Sequence, residues 1–260
     1  VQALEGQLRD TTNSARATLL LARAYAAQRR IPEAVSAFAR LTELAPGAPR
    51  AHHLYALALL AADRRADAVV ELEKALQLAP THFPSLWILA GILPGGPGGG
   101  QAGARVRELA EKLPVEAQPW LVLGNLHLAG KDLSAAETAF RKASELDPKL
   151  SSPRMMLAQI CIATGRASEA LPLLESVLAN TPDDVTALSL AGSLYQNQLR
   201  DFEKARVAYE RVFKLQPNHA SVANNLAGLY VDRDPDRAWE LAQMANRQAP
   251  DHPAIQDTLG

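Results

Sequence analysis

The chain has 260 residues, 48% of them hydrophobic, and its 27 basic and 28 acidic residues leave a net charge of −1. A balance so even gives the whole molecule no electrostatic pull toward nucleic acid or an anionic membrane surface, and the lone Cys161 excludes an internal disulfide. No stretch carries the 18 or so consecutive apolar residues of a membrane span, nor a signal-peptide pattern.

Residues 1–14 read as the tail of a preceding helix, to about Arg9, and a polar turn whose Ser14 can cap the next helix. Two regular stretches follow, 15–48 and 49–82, with Pro32 where the first turn of a helix accepts proline. Residues 83–116 contain the one irregular segment, Leu93-Pro-Gly-Gly-Pro-Gly-Gly-Gly-Gln101, which cannot sustain helix. A shortened first helix is expected there. The segment lacks the strand before it and the Lys-Ser/Thr after it that a phosphate-binding loop needs, so it reads as a flexible turn. Residues 117–150 are the most complete unit. Trp120, Leu123, Gly124 and His127 share one helical stripe. Ser134 and Glu137 have the spacing of a capping box, predicting a second helix from Ser134. That helix carries Ala136, Phe140 and Ala143 on one face and is stopped by Pro148. The stretches 151–184, 185–219 and 220–252 repeat the scheme, with Pro172 expected in the first turn of its helix. Residues 253–260 open an eighth unit that stops after Leu259 and Gly260, as though the chain were part of a longer array.

The period is fixed by prolines at 46, 80, 114, 148, 182, 217 and 250, each preceded twelve residues earlier by alanine, at 34, 68, 102, 136, 170, 205 and 238. The spacing is 34 except for one insertion near 197–201 and one deletion near 232–235. Since the Ala-to-Pro distance never changes, both must fall in turns, which tolerate length changes. A 34-residue hairpin cannot bury its apolar stripes alone and must stack on neighbours. The pattern W-x2-L-G-x2-H, A-x3-F-x2-A, P resembles the tetratricopeptide repeat, with His127 in place of the usual Tyr. The resemblance covers residues 15–260 and implies an all-α, right-handed superhelical solenoid of helix-turn-helix repeats, read as a single array over 1–260.

Catalytic chemistry is not visible in the sequence. The six histidines form no metal-ligand spacing, and no cofactor motif is present. His127 and Cys161 hold the same repeat position and read as packed core, His127 hydrogen-bonded; Glu71, Glu73 and Glu145 read as solvated partners of Lys or Arg. The resemblance implies that the first helix of each repeat lines a concave groove through its second, fifth, ninth and twelfth positions. Carried over, these give a basic start at Arg16, Arg23, Arg50 and His53, an apolar stretch around Trp87, Leu121 and Met155, and polar Asn125 and Gln159. Residues 1–66 carry nine Arg against five acidic residues, about +4, in keeping with the basic start. Such a lining suits an extended peptide or protein partner with an acidic and an apolar segment; the same residues also read as an ordinary solvated face.

The expected role is therefore a non-catalytic interaction scaffold, with no nucleic-acid or membrane contact. Twenty of the 27 basic residues are Arg, which points to a GC-rich bacterial genome. The Asp-Thr-Leu-Gly ending within such repeats is similar to bacterial repeat lipoproteins of exopolysaccharide and exosortase-associated secretion. That resemblance implies a periplasmic or envelope-associated assembly factor. The alternatives are the targeting arm of a larger enzyme and a self-assembling module that stacks head to tail.

Overall fold

The computed structural model describes residues 14–93 and 100–250. The helix expected over 1–9, the glycine-rich stretch 94–99 and the eighth-unit fragment 253–260 lie outside the described residues. Within them the regular structure is helical throughout. The helices come in pairs: α1 (Ala15–Ala27) with α2 (Ile31–Leu44), α3 (Pro49–Ala61) with α4 (Arg65–Leu78), α5 (Phe83–Ile92) with α6 (Gly100–Lys112), and α7 (Ala117–Ala129) with α8 (Leu133–Leu146). There follow α9 (Ser151–Ala163) with α10 (Ala167–Asn180), α11 (Val185–Leu194) with α12 (Phe202–Leu215), and α13 (Ala220–Tyr230) with α14 (Pro235–Gln248). They fall into two compact units, Val1–Leu146 with α1 to α8 and Asp147–Gly260 with α9 to α14. Inside each unit the second helix of a hairpin packs on the first helix of the next.

Each second helix ends two residues before its repeat proline, from Leu44 ahead of Pro46 to Gln248 ahead of Pro250, because the residue before a proline is driven out of the helical region. The seven register alanines are all buried, none more than 6% exposed. Their small size sets how near the paired helices lie. The closest approaches occur at Gly124 and Gly192: a Cβ on Gly124 would sit 2.5 Å from the Phe140 ring, and one on Gly192 2.7 Å from the Tyr209 ring. Phe140 and Tyr209 are accordingly 0% and 1% exposed. The core is a chain of local clusters at the junctions between hairpins. One joins Phe38 and Leu41 to Ala51 and Ala58; another joins Leu72 and Leu76 to Leu86, Leu89 and Val122.

The turns account for the uneven spacing. In four hairpins the N–H that closes the turn donates to the carbonyl five residues earlier: Arg30 to Tyr25, Arg64 to Leu59, Asp132 to His127 and Arg166 to Cys161. Each has a left-handed residue just ahead of the donor, Arg29, Asp63, Lys131 and Gly165, the usual way of ending a helix. Where the sequence has one extra residue, α11 runs into a π-helical turn over Tyr195–Leu199 and Asp201 donates six residues back to Tyr195. Where one is missing, Asp234 donates four back to Tyr230, and no residue of that turn is left-handed. Both length changes are taken up at the end of the first helix and in the turn after it, α11 giving way to the π-helical turn at Tyr195 and α13 stopping at Tyr230, while the second helices keep their 14 residues.

Two local expectations are corrected. α8 begins at Leu133, and its cap is Asp132, whose Oδ1 accepts from Ala135 N–H at 3.0 Å. A carboxylate caps as well as a serine, and the left-handed Lys131 delivers it two residues before Ser134; Glu137 instead bonds Arg141. Pro172 is the sixth residue of α10, past the first turn, and the helix continues through it. It is exposed, so the carbonyl it leaves without a donor can turn to solvent. Ser14 does cap α1, accepting from Ala17 N–H. The first helix of the third hairpin is short as expected, 10 residues against 13 for α3. It stops at Leu93, held extended by the proline that follows.

Candidate docking face

The chain's arginines fall into two groups. Arg30, Arg40, Arg64 and Arg105 each lie within 2.6–2.8 Å of a carboxylate three residues on, the spacing at which helix neighbours meet. Arg16 and Arg23 on α1 and Arg50 on α3 are exposed and make no hydrogen bond or ion pair with another described residue. Arg16 and Arg50 occupy the same position in successive hairpins. All three belong to the first unit, as does Trp87 on α5, a large aromatic that is 39% exposed.

The other residues singled out by the sequence behave differently. His53 is half-buried; its Nδ1 is 3.0 Å from Ser85 Oγ and its ring lies 5.1 Å from that of His82. Burial, then the neighbouring His82 and Arg50, hold it below the ordinary histidine range, so it adds no charge at neutral pH. Leu121 and Met155 are only 7% and 9% exposed and offer a ligand little surface; Met155 packs with Ala158, Leu174 and Ala187. Asn125 spends its amide on the Leu121 carbonyl one turn back, and Gln159, in the second unit, is exposed.

Glu71 was expected in solvent beside Lys or Arg. It is 7% exposed, with one oxygen 2.7 Å from His52 Nδ1 and the other accepting from Lys74. His52, equally buried, reaches the Pro46 carbonyl through Nε2 at 2.9 Å. Arg154 holds the same repeat position and donates to the Pro148 carbonyl, so this residue latches a hairpin to the proline turn before it. His127 is packed as expected, but its Nδ1 has no hydrogen-bond partner, the Asp132 carboxylate being 3.9 Å away. Burial lowers its pKa. Cys161 is fully buried. Among the described residues no group of three His, Cys, Asp or Glu could hold a metal, and no helix is long and apolar enough to cross a membrane. His82 and Ser85 were missed by the sequence reading; they lie one residue before α5 and in its first turn, and no spacing rule brings them to a histidine on α3.

These features define a helical-repeat protein whose exposed chemistry is a set of unpaired guanidinium groups and an accessible tryptophan. The repeats resemble tetratricopeptide repeats over two stretches of the chain. A model of the cytochrome c-type biogenesis protein H TPR domain matches residues 105–222, and a tetratricopeptide-repeat model matches residues 1–58. Among curated proteins the chain is 30% identical over 132 residues to the human protein O-mannosyl-transferase TMTC3, covering 51% of this chain and 14% of that protein. It is likewise 30% identical over 112 residues to anaphase-promoting complex subunit 7 of Arabidopsis thaliana, covering 43% of this chain and 20% of that one. The chain thus spans no more than a fifth of the length of these relatives. Among solved structures it is similar to the C-terminal part of a TPR repeat-containing protein from Cytophaga hutchinsonii (TM-score 0.65, 14% identity, 95% of this chain and 100% of that one). It is also similar to PilF of Pseudomonas aeruginosa (TM-score 0.55, 17% identity, 94% and 95%). At these identities the structures speak to the fold.

Proposed function

We propose that the chain is a non-catalytic scaffold whose first unit docks an extended protein segment, acidic with an apolar part, on the face carrying Arg16, Arg23, Arg50 and Trp87. Tetratricopeptide repeats as a class mediate protein-protein interaction, and the observation that carries the finer reading is the set of unsatisfied cations. Arginine is planar and forked, suited to bidentate contact with carboxylates. Exposed Trp is a favoured anchor at interfaces. Arg16, Arg23 and Arg50, all on first helices and without partners while Arg30, Arg40 and Arg64 are paired, fit a ligand that supplies the carboxylates. Within the first unit Asn125 extends the candidate face, and the buried Leu121 supports it from behind.

We place the scaffold in a bacterial envelope assembly or polysaccharide export system. The match to a TPR domain of cytochrome c-type biogenesis protein H supports an assembly role. A second reading, the binding arm of a larger enzyme, has its support in the two curated relatives named O-mannosyl-transferase, of which the chain matches 14% and 16%. The docking reading is tested by capturing partners on the wild-type chain and on a folded Arg16→Ala, Arg23→Ala, Arg50→Ala variant. Partners with acidic segments should be lost from the variant; equal recovery on both would show that this face is only solvated surface.

A further inference from the structure

Two histidines share one buried hydroxyl where the second hairpin meets the third. Ser85 is 0% exposed, and its Oγ lies 3.0 Å from His53 Nδ1 and 2.9 Å from His82 Nδ1. The hydroxyl owns a single hydrogen. If it donates to one ring, that ring carries its proton on Nε2; the other ring must then donate its Nδ1–H to the serine and keeps a bare Nε2. The neutral cluster therefore turns one N–H donor and one acceptor outward. A proton added to the bare nitrogen makes two outward donors and a positive charge, with both bonds to Ser85 retained. Neither Nε2 bonds another described residue, and neither is among the buried unpartnered atoms, so both are open to solvent.

The surroundings decide what would occupy such a pair of donors. The charged or titratable groups bearing on His53 are His82 and Arg50. The helices packed on α3 offer no free carboxylate: on α2, Glu33 and Glu43 are taken by Arg30 and Arg40, and on α4, Asp67, Glu71 and Glu73 by Arg64, Lys74 and Arg105. α5 carries no charged side chain, and its N-terminus, with the positive end of its dipole, lies beside His82. Every nearby influence favours an anion from outside.

We propose that His53 and His82, coupled through Ser85, form a carboxylate subsite beside Arg50, and that the carboxylate binds there together with one proton. This rests on the acidic-segment reading and adds a pH dependence to it. Binding supplies the negative charge that the empty site lacks, so the protonated ring is stabilised by the ligand and affinity falls as pH rises through the neutral range.

The probe is an oligoglutamate peptide, titrated calorimetrically at pH 7 in two buffers of different ionisation enthalpy and then at pH 6 and pH 8. Uptake of a substantial fraction of a proton per peptide is expected, with affinity several-fold weaker at pH 8 than at pH 6, the ceiling being about tenfold for each displaced pKa unit. Ser85→Ala should abolish the uptake. Because Ser85 is fully buried, His82→Asn, at a half-buried position, makes the same test independently and should also leave Arg-dependent binding without proton uptake. If the peptide binds the wild type through the arginines with no proton uptake, the subsite is overturned while the docking face stands. If it does not bind at all, both fall.

Discussion

Phe140 and Gly124 are one packing decision divided between two residues. The ring occupies the space a Cβ at 124 would need, so neither position can change alone. Phe140→Ala should cost about 3–5 kcal/mol by opening a cavity at a fully buried site, and Gly124→Ala about 1–3 kcal/mol by overpacking despite its better helix propensity. In a Phe140→Leu background the Gly124→Ala cost should shrink or vanish; equal costs in both backgrounds, measured by denaturant unfolding, would mean the ring and the glycine do not meet. His127 offers a pH test. Its folded pKa lies below the ordinary value of 6.5 because it is buried, so the unfolded chain takes up the proton first. The stability it supports is present above about pH 6.5 and is lost as pH falls toward the folded value. His53 acts in the same direction. His127→Phe should flatten the acid side of the stability profile; an unchanged slope would show that His127 is freely solvated.

At the level of helices and turns, the sequence was most informative where spacing is rigid. The twelve-residue distance from alanine to proline reports a packed helix of constant length, so the places where the period slips had to be turns. The hydrogen bonds reaching five, six or four residues back are the physical form of that slip. The caps were less legible, because Asp132 and Ser134 both satisfy the same residue preference and the choice depends on the left-handed Lys131. Asp132→Ala should therefore cost about 0.5–2 kcal/mol, while Ser134→Ala should be close to neutral. The reverse order in thermal unfolding would restore the capping box. Lys131→Gly should stabilise the hairpin by up to about 1 kcal/mol, since only glycine adopts the left-handed region without strain.

On the scale of the whole molecule, a period can announce which residues repeat but cannot show which of them have partners. Glu71 looked like a solvated acid until His52, nineteen residues away, was found against it. His53 looked like part of a cationic lining until Ser85 and His82, from the next hairpin, claimed its Nδ1 side. Leu121 and Met155 show the same limit, since a position that faces a groove in a family can be closed over in one chain by its neighbours' size. What survives is the cationic set Arg16, Arg23 and Arg50 with Trp87, and the account turns on whether those charges have a ligand. The most direct measurement is the binding isotherm of a labelled peptide of glutamate and leucine residues for the wild type and the triple Arg→Ala variant, across salt from about 0.1 M to about 1 M. Over that range the screening length falls from about 10 Å to about 3 Å. The account predicts wild-type affinity that drops steeply with salt and a variant that binds weakly at every salt with little slope. Equal affinities and equal slopes for two folded proteins would contradict it.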